Sequence, residues 1–213
     1  MSRLATCLAV AIAAAAPWRA HAGSLDVSVR DASGEPVADA AVYAVPPNPT
    51  GEARGRTAEI AQADREFVPF MTVVQVGTSV AFPNRDPILH HVYSFSPAKP
   101  FEIKLYTGKS PHEVVFDKPG VVVLGCNIHD WMLAYVVVVP TPYFGHSDAN
   151  GAVHLRELPA GAYELHAWHP FQRAALAPQA ITVPAAGTQD AAFQLELQPR
   201  KPKFKPPLDR LKY

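Results

Sequence analysis

Short runs rich in apolar and β-branched residues recur along the chain, and no segment keeps a helical period. Turn-forming sequences such as DASGEP, NRDP, DKPG, DANG and LPAG separate them. Many short strands at intervals of roughly 8–12 residues are typical of antiparallel sandwiches and barrels. The pattern therefore predicts an all-β protein, with helix confined to a turn or two. The predicted strand segments are LDVSVRD, AAVYAV, FVPFMTVVQV, TSVAF, HHVYSFS, FEIKLY, VVVL, LAYVVVVP, AVHLREL, YELHAW, AITV and AFQLEL.

Residues 1–22 carry the pattern of a secretory signal peptide. Arg3 precedes the 13-residue apolar segment LATCLAVAIAAAA, and the small-residue sequence AHA stands directly before Gly23. The apolar segment is too short to span a bilayer. We therefore expect cleavage before Gly23, a periplasmic location and no integral membrane segment in the mature chain.

The charge of the chain argues against a nucleic-acid partner. The sequence holds 19 Lys+Arg and 19 Asp+Glu, and two of the arginines precede Gly23, which leaves a net charge of −2. The end of the chain, from Arg200 to Tyr213, contains six bases and one acid, so the body carries about −7. A basic face suited to nucleic acid is therefore not expected outside that tail. The Pro- and Lys-rich residues 198–213 are predicted to be unpacked.

The sequence GCNIHDWM contains the one cysteine that follows the predicted signal peptide, in the spacing Cys126-x-x-His129-x-x-Met132. In an oxidising compartment this thiol has no cysteine partner within the chain. Cys126 is then either a small buried hydrophobe following VVVL or a thiolate held by a metal. Soft sulfur ligands select copper, and two imidazoles with one thiolate and a long axial Met are the blue-copper arrangement. The second imidazole must come from a neighbouring strand, where His90 and His91 both qualify.

The central part of the chain, from Gly55 to Pro140, resembles the cupredoxins, most closely the plastocyanin- and amicyanin-like blue copper proteins. The resemblance rests on a V-G-x-x-V-x-F-x-N strand that ends at Asn84, an imidazole six residues later, and the Cys-x-x-His-x-x-Met loop behind a KPG turn. It implies a Greek-key β-sandwich over residues 55–140. It also implies one type 1 copper ion per chain, bound by the metal ligands His90, Cys126, His129 and Met132.

The family spacing selects His90 as the ligand and leaves His91 where the family usually has an asparagine. That asparagine ties the two ligand loops together. His91 either takes over this role by bonding Asn127 or is itself the ligand, and strand alternation does not decide, because both faces of HHVYSF carry apolar residues.

Two segments near the ends of the chain resemble the halves of a carboxypeptidase-regulatory-like, transthyretin-like domain, which has a carbohydrate-binding-like β-sandwich fold. About a hundred residues separate the halves, which indicates a domain inserted at an exposed loop. We predict that residues 24–48 and 141–197 form this split sandwich, with the copper domain at 55–140. The matching positions are Asp31, Gly34, Pro36, Val37, Ala40 and Val42 in the first half and Asp148, Gly151, Leu158, Pro159, Gly161, Tyr163 and Leu165 in the second.

The combination of the two modules resembles methylamine utilization proteins. This resemblance implies a periplasmic blue copper protein that carries single electrons between redox partners, with amine oxidation as a candidate pathway. In the cupredoxin family the imidazole edge of the second loop ligand emerges through an apolar patch where partners dock. Here that implies His129, surrounded by Trp131, Pro87 and Ile88.

The sequence contains no recognisable general base, nucleophile or substrate pocket, so we expect a protein that is not an enzyme. Two other functions remain open. One is a copper-carrying or copper-buffering protein without a redox partner. The other is a carbohydrate-binding or adhesive module with a vestigial copper site.

Overall fold

The structure, a computed structural model, describes residues 22–49, 51, 53 and 55–199. These residues form seventeen strands and no helix, so the prediction of an all-β protein is confirmed. Among them no helix has the length and apolar character that a membrane crossing requires. The predicted signal peptide, apart from Ala22, and the predicted basic tail 198–213, apart from Gln198 and Pro199, lie outside the described residues.

Two sheets combine strands from both ends of the described chain. The first has the order β14 (Ala152–Pro159), β1 (Ala22–Asp31) and β17 (Thr188–Leu195), with β1 antiparallel to β14 and parallel to β17. The second, which is antiparallel throughout, has the order β13 (Phe144–His146), β2 (Ala41–Val45), β15 (Gly161–Trp168) and β16 (Gln179–Val183). Strands β1 and β2 thus pair with strands that follow residue 143.

The side chains of these two sheets share one core because apolar and polar residues alternate along the strands. In β1, Leu25, Val27 and Val29 are buried while the intervening side chains are more exposed, as a strand with one face on a core requires. Residues from the opposite end of the chain, including Leu165 and Phe193, complete the core. The predicted domain boundaries at 24–48 and 141–197 stay a prediction.

The remaining strands come from the middle of the chain and form a five-stranded sheet, a three-stranded sheet and a hairpin. The larger sheet has the order β6 (Met71–Gln75), β12 (Leu133–Val139), β11 (Gly120–Gly125), β8 (His90–Ser94) and β9 (Phe101–Tyr106). The smaller has the order β10 (Val114–Phe116), β7 (Thr78–Ala81) and β3 (Thr57–Glu59). The hairpin consists of β4 (Ala61–Ala63) and β5 (Glu66–Val68).

A second apolar core fills the space between these two sheets. Phe82, Phe116, Val122 and Leu124 are fully buried in it, and each such side chain stabilises the fold by about 1.5–3 kcal/mol relative to an exposed one. Cys126 and Met132 belong to the same cluster. The candidate metal ligands therefore stand at the edge of a packed core.

Strand β12 is buried on both faces, which explains its continuous VVVV run. Val136 and Val138 belong to the core of the central sandwich, whereas Val137 and Val139 pack in a third cluster with residues of the other sandwich. Strands covered on both faces show unbroken apolar sequence instead of alternation. Trp168 also packs at this junction, with its ring centroid 5.6 Å from that of Tyr135. The junction joins the two sandwiches through apolar side chains.

Candidate metal centre

The loop between β11 and β12 carries three of the four predicted ligands. Cys126, His129 and Met132 are 3%, 0% and 1% exposed, and the Met132 amide donates a hydrogen bond of 2.9 Å to the His129 carbonyl, which closes a tight turn. Gly125, directly before the cysteine, lies against the side chain of Tyr93, where an added Cβ would meet the Tyr93 Cζ and hydroxyl oxygen at 2.7 Å. The glycine therefore lets β8 approach the start of the loop closely.

The loop between β7 and β8, which leads to His90, is braced by Asn84. The Asn84 side-chain amide donates to the carbonyls of Ile88 and Tyr106 at 2.8 and 2.7 Å, and its oxygen accepts from the Asp86 amide at 3.0 Å. Asn84 is 4% exposed, so removing its amide would leave buried backbone groups unpaired, at a cost of about 1–3 kcal/mol for each. This bracing explains why an asparagine stands six residues before His90.

Two imidazole nitrogens and one sulfur form a compact triangle. The Nδ1 atoms of His90 and His129 lie 3.1 Å apart, and the Cys126 Sγ atom lies 4.0 and 3.8 Å from them. A point equidistant from the three atoms is about 2.1 Å from each, within the range of about 2.0–2.3 Å at which protein N and S atoms bind a metal such as zinc. Within the described part of the chain, no other group of three His, Cys, Asp or Glu side chains has its ligand atoms within 4.8 Å of one another. The three residues therefore fit a metal ion.

His91 lies outside this triangle. Its Nε2 atom is 2.9 Å from the Glu102 carboxylate on β9, and its Nδ1 atom has no hydrogen-bond partner among the described residues. The bond from His91 to Asn127, which would replace the usual asparagine, is therefore not made. The structure brings His90, and not His91, to the Cys126 thiol.

The imidazole of His129 does not reach the surface, contrary to the family-based expectation. His129 is 0% exposed, and the Trp131 ring lies beside it with its centroid 5.1 Å away. Burial, together with the neighbouring side chains of His90 and Arg65, lowers the pKa of His129 to about 4. At neutral pH the imidazole is therefore uncharged, which is the form that binds a metal.

The β4–β5 hairpin explains this burial. The Trp131 indole N–H donates a hydrogen bond of 3.1 Å to the Arg65 carbonyl, and the Arg65 guanidinium lies 5.9 Å from the centre of the Trp131 ring. Asp64 and Arg65 form the two-residue turn of the hairpin, with φ of 52° and 58°. The turn is held against the loop that carries His129.

Asp86 is a residue of the site that the sequence motifs did not reveal. Its carboxylate accepts hydrogen bonds from the Asp64 and Arg65 amides at 2.7 and 2.8 Å and lies 2.7 Å from the His90 Nε2 atom. Burial acts to raise the pKa of Asp86, but the hydrogen bonds from Arg65, His90 and Asp64 outweigh it, and the pKa lies below the ordinary value of 3.8. A carboxylate four residues before a candidate ligand histidine was the one local signal available.

The donor set points to copper and disfavours hard cations that prefer oxygen ligands. A thiolate with two imidazoles suits copper, and a thioether as a weak fourth donor is a feature of blue-copper sites. Met132 is 1% exposed and belongs to the same apolar cluster as Cys126. Buried apolar surroundings exclude water from the metal position and so help to set its redox properties.

Solved structures of copper proteins are similar to part of this chain. A purple cupredoxin from Nitrosopumilus maritimus is 24% identical, with 38% of this chain and 99% of that chain covered and a TM-score of 0.35. A copper-containing nitrite reductase from Thermus scotoductus SA-01 is 21% identical over 43% of this chain and 25% of its own, with a TM-score of 0.38. A reduced mutant of amicyanin is 18% identical over 46% of this chain and 98% of its own, with a TM-score of 0.37. No family profile and no curated protein sequence matches the chain.

Proposed function

We propose that this protein is a type 1 copper protein that carries single electrons between redox partners. The observation that carries the proposal is the buried triangle of His90 Nδ1, His129 Nδ1 and Cys126 Sγ, with sides of 3.1, 3.8 and 4.0 Å. These three residues would hold one copper ion per chain, and Met132 would be a further, weaker sulfur donor.

The protein's own contribution is to hold the donor side chains in fixed positions that are buried from water. A bound copper ion would supply reversible one-electron chemistry between Cu(I) and Cu(II). Cys126 and His129 are held by a tight loop, and His90 begins a strand of the five-stranded sheet. Because the core packs against these elements, the donors would keep their positions in both oxidation states. This rigidity favours electron transfer over catalysis, so we propose that the protein is not an enzyme.

Contact with a redox partner would pass through Trp131. His129 is fully buried, whereas Trp131 is half-buried, with its ring tilted by 56° to that of His129 and the centroids 5.1 Å apart. The exposed Pro87 and half-buried Ile88 lie on the loop that leads to His90. An aromatic ring that bridges a metal ligand and the surface offers a short path for an electron.

The location and the partners extend this proposal. The signal-like residues 1–22 favour export to the periplasm, so the donor and acceptor would be periplasmic redox proteins. Amine oxidation is the pathway that we propose to test first. The sandwich predicted at residues 24–48 and 141–197 would serve as the frame that holds the copper domain.

Redox cycling of the copper-loaded protein tests this function. We expect reversible one-electron reduction and reoxidation, with fast electron self-exchange, because the donor geometry suits both oxidation states. The measurement is a potentiometric titration followed by electron paramagnetic resonance, with the exchange rate taken from NMR line broadening. A protein that binds copper tightly but exchanges electrons slowly would instead be a copper carrier or buffer.

A further inference from the structure

The carboxylate of Asp86 stands directly behind one candidate ligand. His90 is 0% exposed, and its ring presents Nδ1 to Cys126 and His129 while Nε2 lies 2.7 Å from Asp86 Oδ2. The side chain of Asp86 is 11% exposed, so water competes little for its oxygens. The imidazole is thus enclosed between the metal position and a carboxylate.

The orientation of this carboxylate is fixed by a turn that is distant in sequence. The amides of Asp64 and Arg65 donate to its two oxygens, one to each. Both turn residues have positive φ, which directs successive N–H groups to the same side, and such paired amides form an anion-binding concavity. The carboxylate therefore cannot turn away from His90 without leaving these backbone donors unpaired.

The same turn also contacts the other ligand loop. The Arg65 carbonyl accepts the indole N–H of Trp131, which lies between His129 and Met132 in the Cys126 loop. The β4–β5 turn thus connects the His90 loop, through Asp86, with the Cys126 loop, through Trp131. This is the connection that His91 does not make.

We propose that Asp86 is a positioning residue for His90, and that its carboxylate, held by the β4–β5 turn, fixes the metal-binding tautomer and lowers the reduction potential. The inference rests on the copper function proposed above. A carboxylate that accepts the Nε2–H proton leaves the lone pair on Nδ1 and makes the imidazole a stronger donor. A stronger nitrogen donor stabilises Cu(II) more than Cu(I), which lowers the potential.

The first test compares the variants Asp86→Asn and Asp130→Asn. Asp130 is exposed on the Cys126 loop, next to His129. Asp130→Asn therefore removes a negative charge near the site and leaves the hydrogen bond between Asp86 and His90 in place. In Asp86→Asn the side-chain NH2 group would face an N–H donor in place of an acceptor oxygen. The uncharged side chain would also accept a weaker hydrogen bond from His90. We expect Asp86→Asn to raise the reduction potential. At a fixed solution potential, the Cu(I)/Cu(II) ratio should increase about tenfold, which corresponds to about 59 mV for one electron.

The affinity for Cu(II) is a second quantity to measure in the same pair of variants. Loss of an outer partner of a ligand histidine costs about 10–100-fold in metal affinity, so Asp86→Asn should bind Cu(II) more weakly by that factor while Asp130→Asn should not. Equal potentials and affinities in the two variants, with the colour of the copper site intact, would overturn the role of Asp86 and leave the copper function standing.

A third measurement needs no variant and no copper. In the metal-free wild-type protein, nitrogen-15 NMR of the His90 ring should show a proton on Nε2 and none on Nδ1. A His90 ring with its proton on Nδ1 would contradict the proposal even if Asp86→Asn fails to fold. Conversely, a protein with the Nε2–H tautomer that never forms a coloured copper site would refute the copper function and leave the positioning contact intact.

Discussion

Two adjacent imidazoles on β8 have opposite surroundings. His90 meets Cys126 and His129, and His91 meets Glu102 on β9. Successive side chains of a strand point to opposite faces, so only one of the two can reach the metal position. Which one could not be read from alternation, because both faces of this strand are covered by other residues. The spacing from Asn84 was the better guide, since Asn84 braces the backbone of the connecting loop.

Substitution of each imidazole separates their roles. His90→Gly should abolish the native copper spectrum, because it removes one of three close donors, and added imidazole should restore part of it. His91→Asn should keep the spectrum, because His91 is not one of the three close donors, and lower the free energy of unfolding by about 1 kcal/mol for the lost bond to Glu102. Visible spectroscopy and chemical denaturation check both results. The reverse pattern would assign the ligand to His91.

At the scale of secondary-structure elements, the β4–β5 hairpin and the Cys126 loop act together. The apolar strands of both sandwiches could be predicted because their periodicity is local. Strands β3, β4, β10 and β13 were not predicted, because each has only three residues, too few to show a period of two. Asp86 and the burial of His129 were missed because both depend on contacts with the β4–β5 turn. That turn lies 21–22 residues before Asp86, and its Arg65 lies 66 residues before Trp131 in the His129 loop. Such contacts leave no local pattern.

Trp131 gives a prediction at this scale. Trp131→Ala should slow electron self-exchange while the copper spectrum stays close to that of the wild type, because the ring joins buried His129 to the surface. Trp131→Phe is the matched control, since it keeps an aromatic ring but loses the indole hydrogen bond to Arg65, worth about 0.5–1.5 kcal/mol of stability. Exchange in Trp131→Ala as fast as in the wild type would show that electrons leave by another route.

At the scale of the whole molecule, apolar side chains on one face of the five-stranded sheet join the two sandwiches. Met71, Val137 and Val139 contribute from β6 and β12 of this sheet, and Ala41 and Trp168 from the four-stranded sheet of the other sandwich. The split family pattern predicted that both ends of the chain belong together, and the strands of both ends do share sheets. The junction itself was not predicted, because apolar residues on the outer face of β12 carry no information about their partner.

The predicted domain boundaries can be tested with excised segments. Residues 55–140 alone should fold and bind copper, since they contain all strands of the two central sheets, but should aggregate more readily than the full chain because the junction is exposed. Residues 24–46 alone should stay unfolded, as β1 and β2 lack their partner strands. Circular dichroism and copper titration measure both outcomes. An independently folded 24–46 segment, or a 55–140 segment unable to fold, would contradict the division.

The visible absorption spectrum of the Cu(II)-loaded mature protein tests the central claim most directly. Cu(II) bound to the Cys126 thiolate should absorb strongly through sulfur-to-metal charge transfer, so the protein should be intensely coloured. Cys126→Ser should lose this colour even if copper still binds, because a hydroxyl group cannot give the same transition. A colourless wild-type protein, fully loaded with copper under oxidising conditions, would contradict the assignment of this site to single-electron transfer.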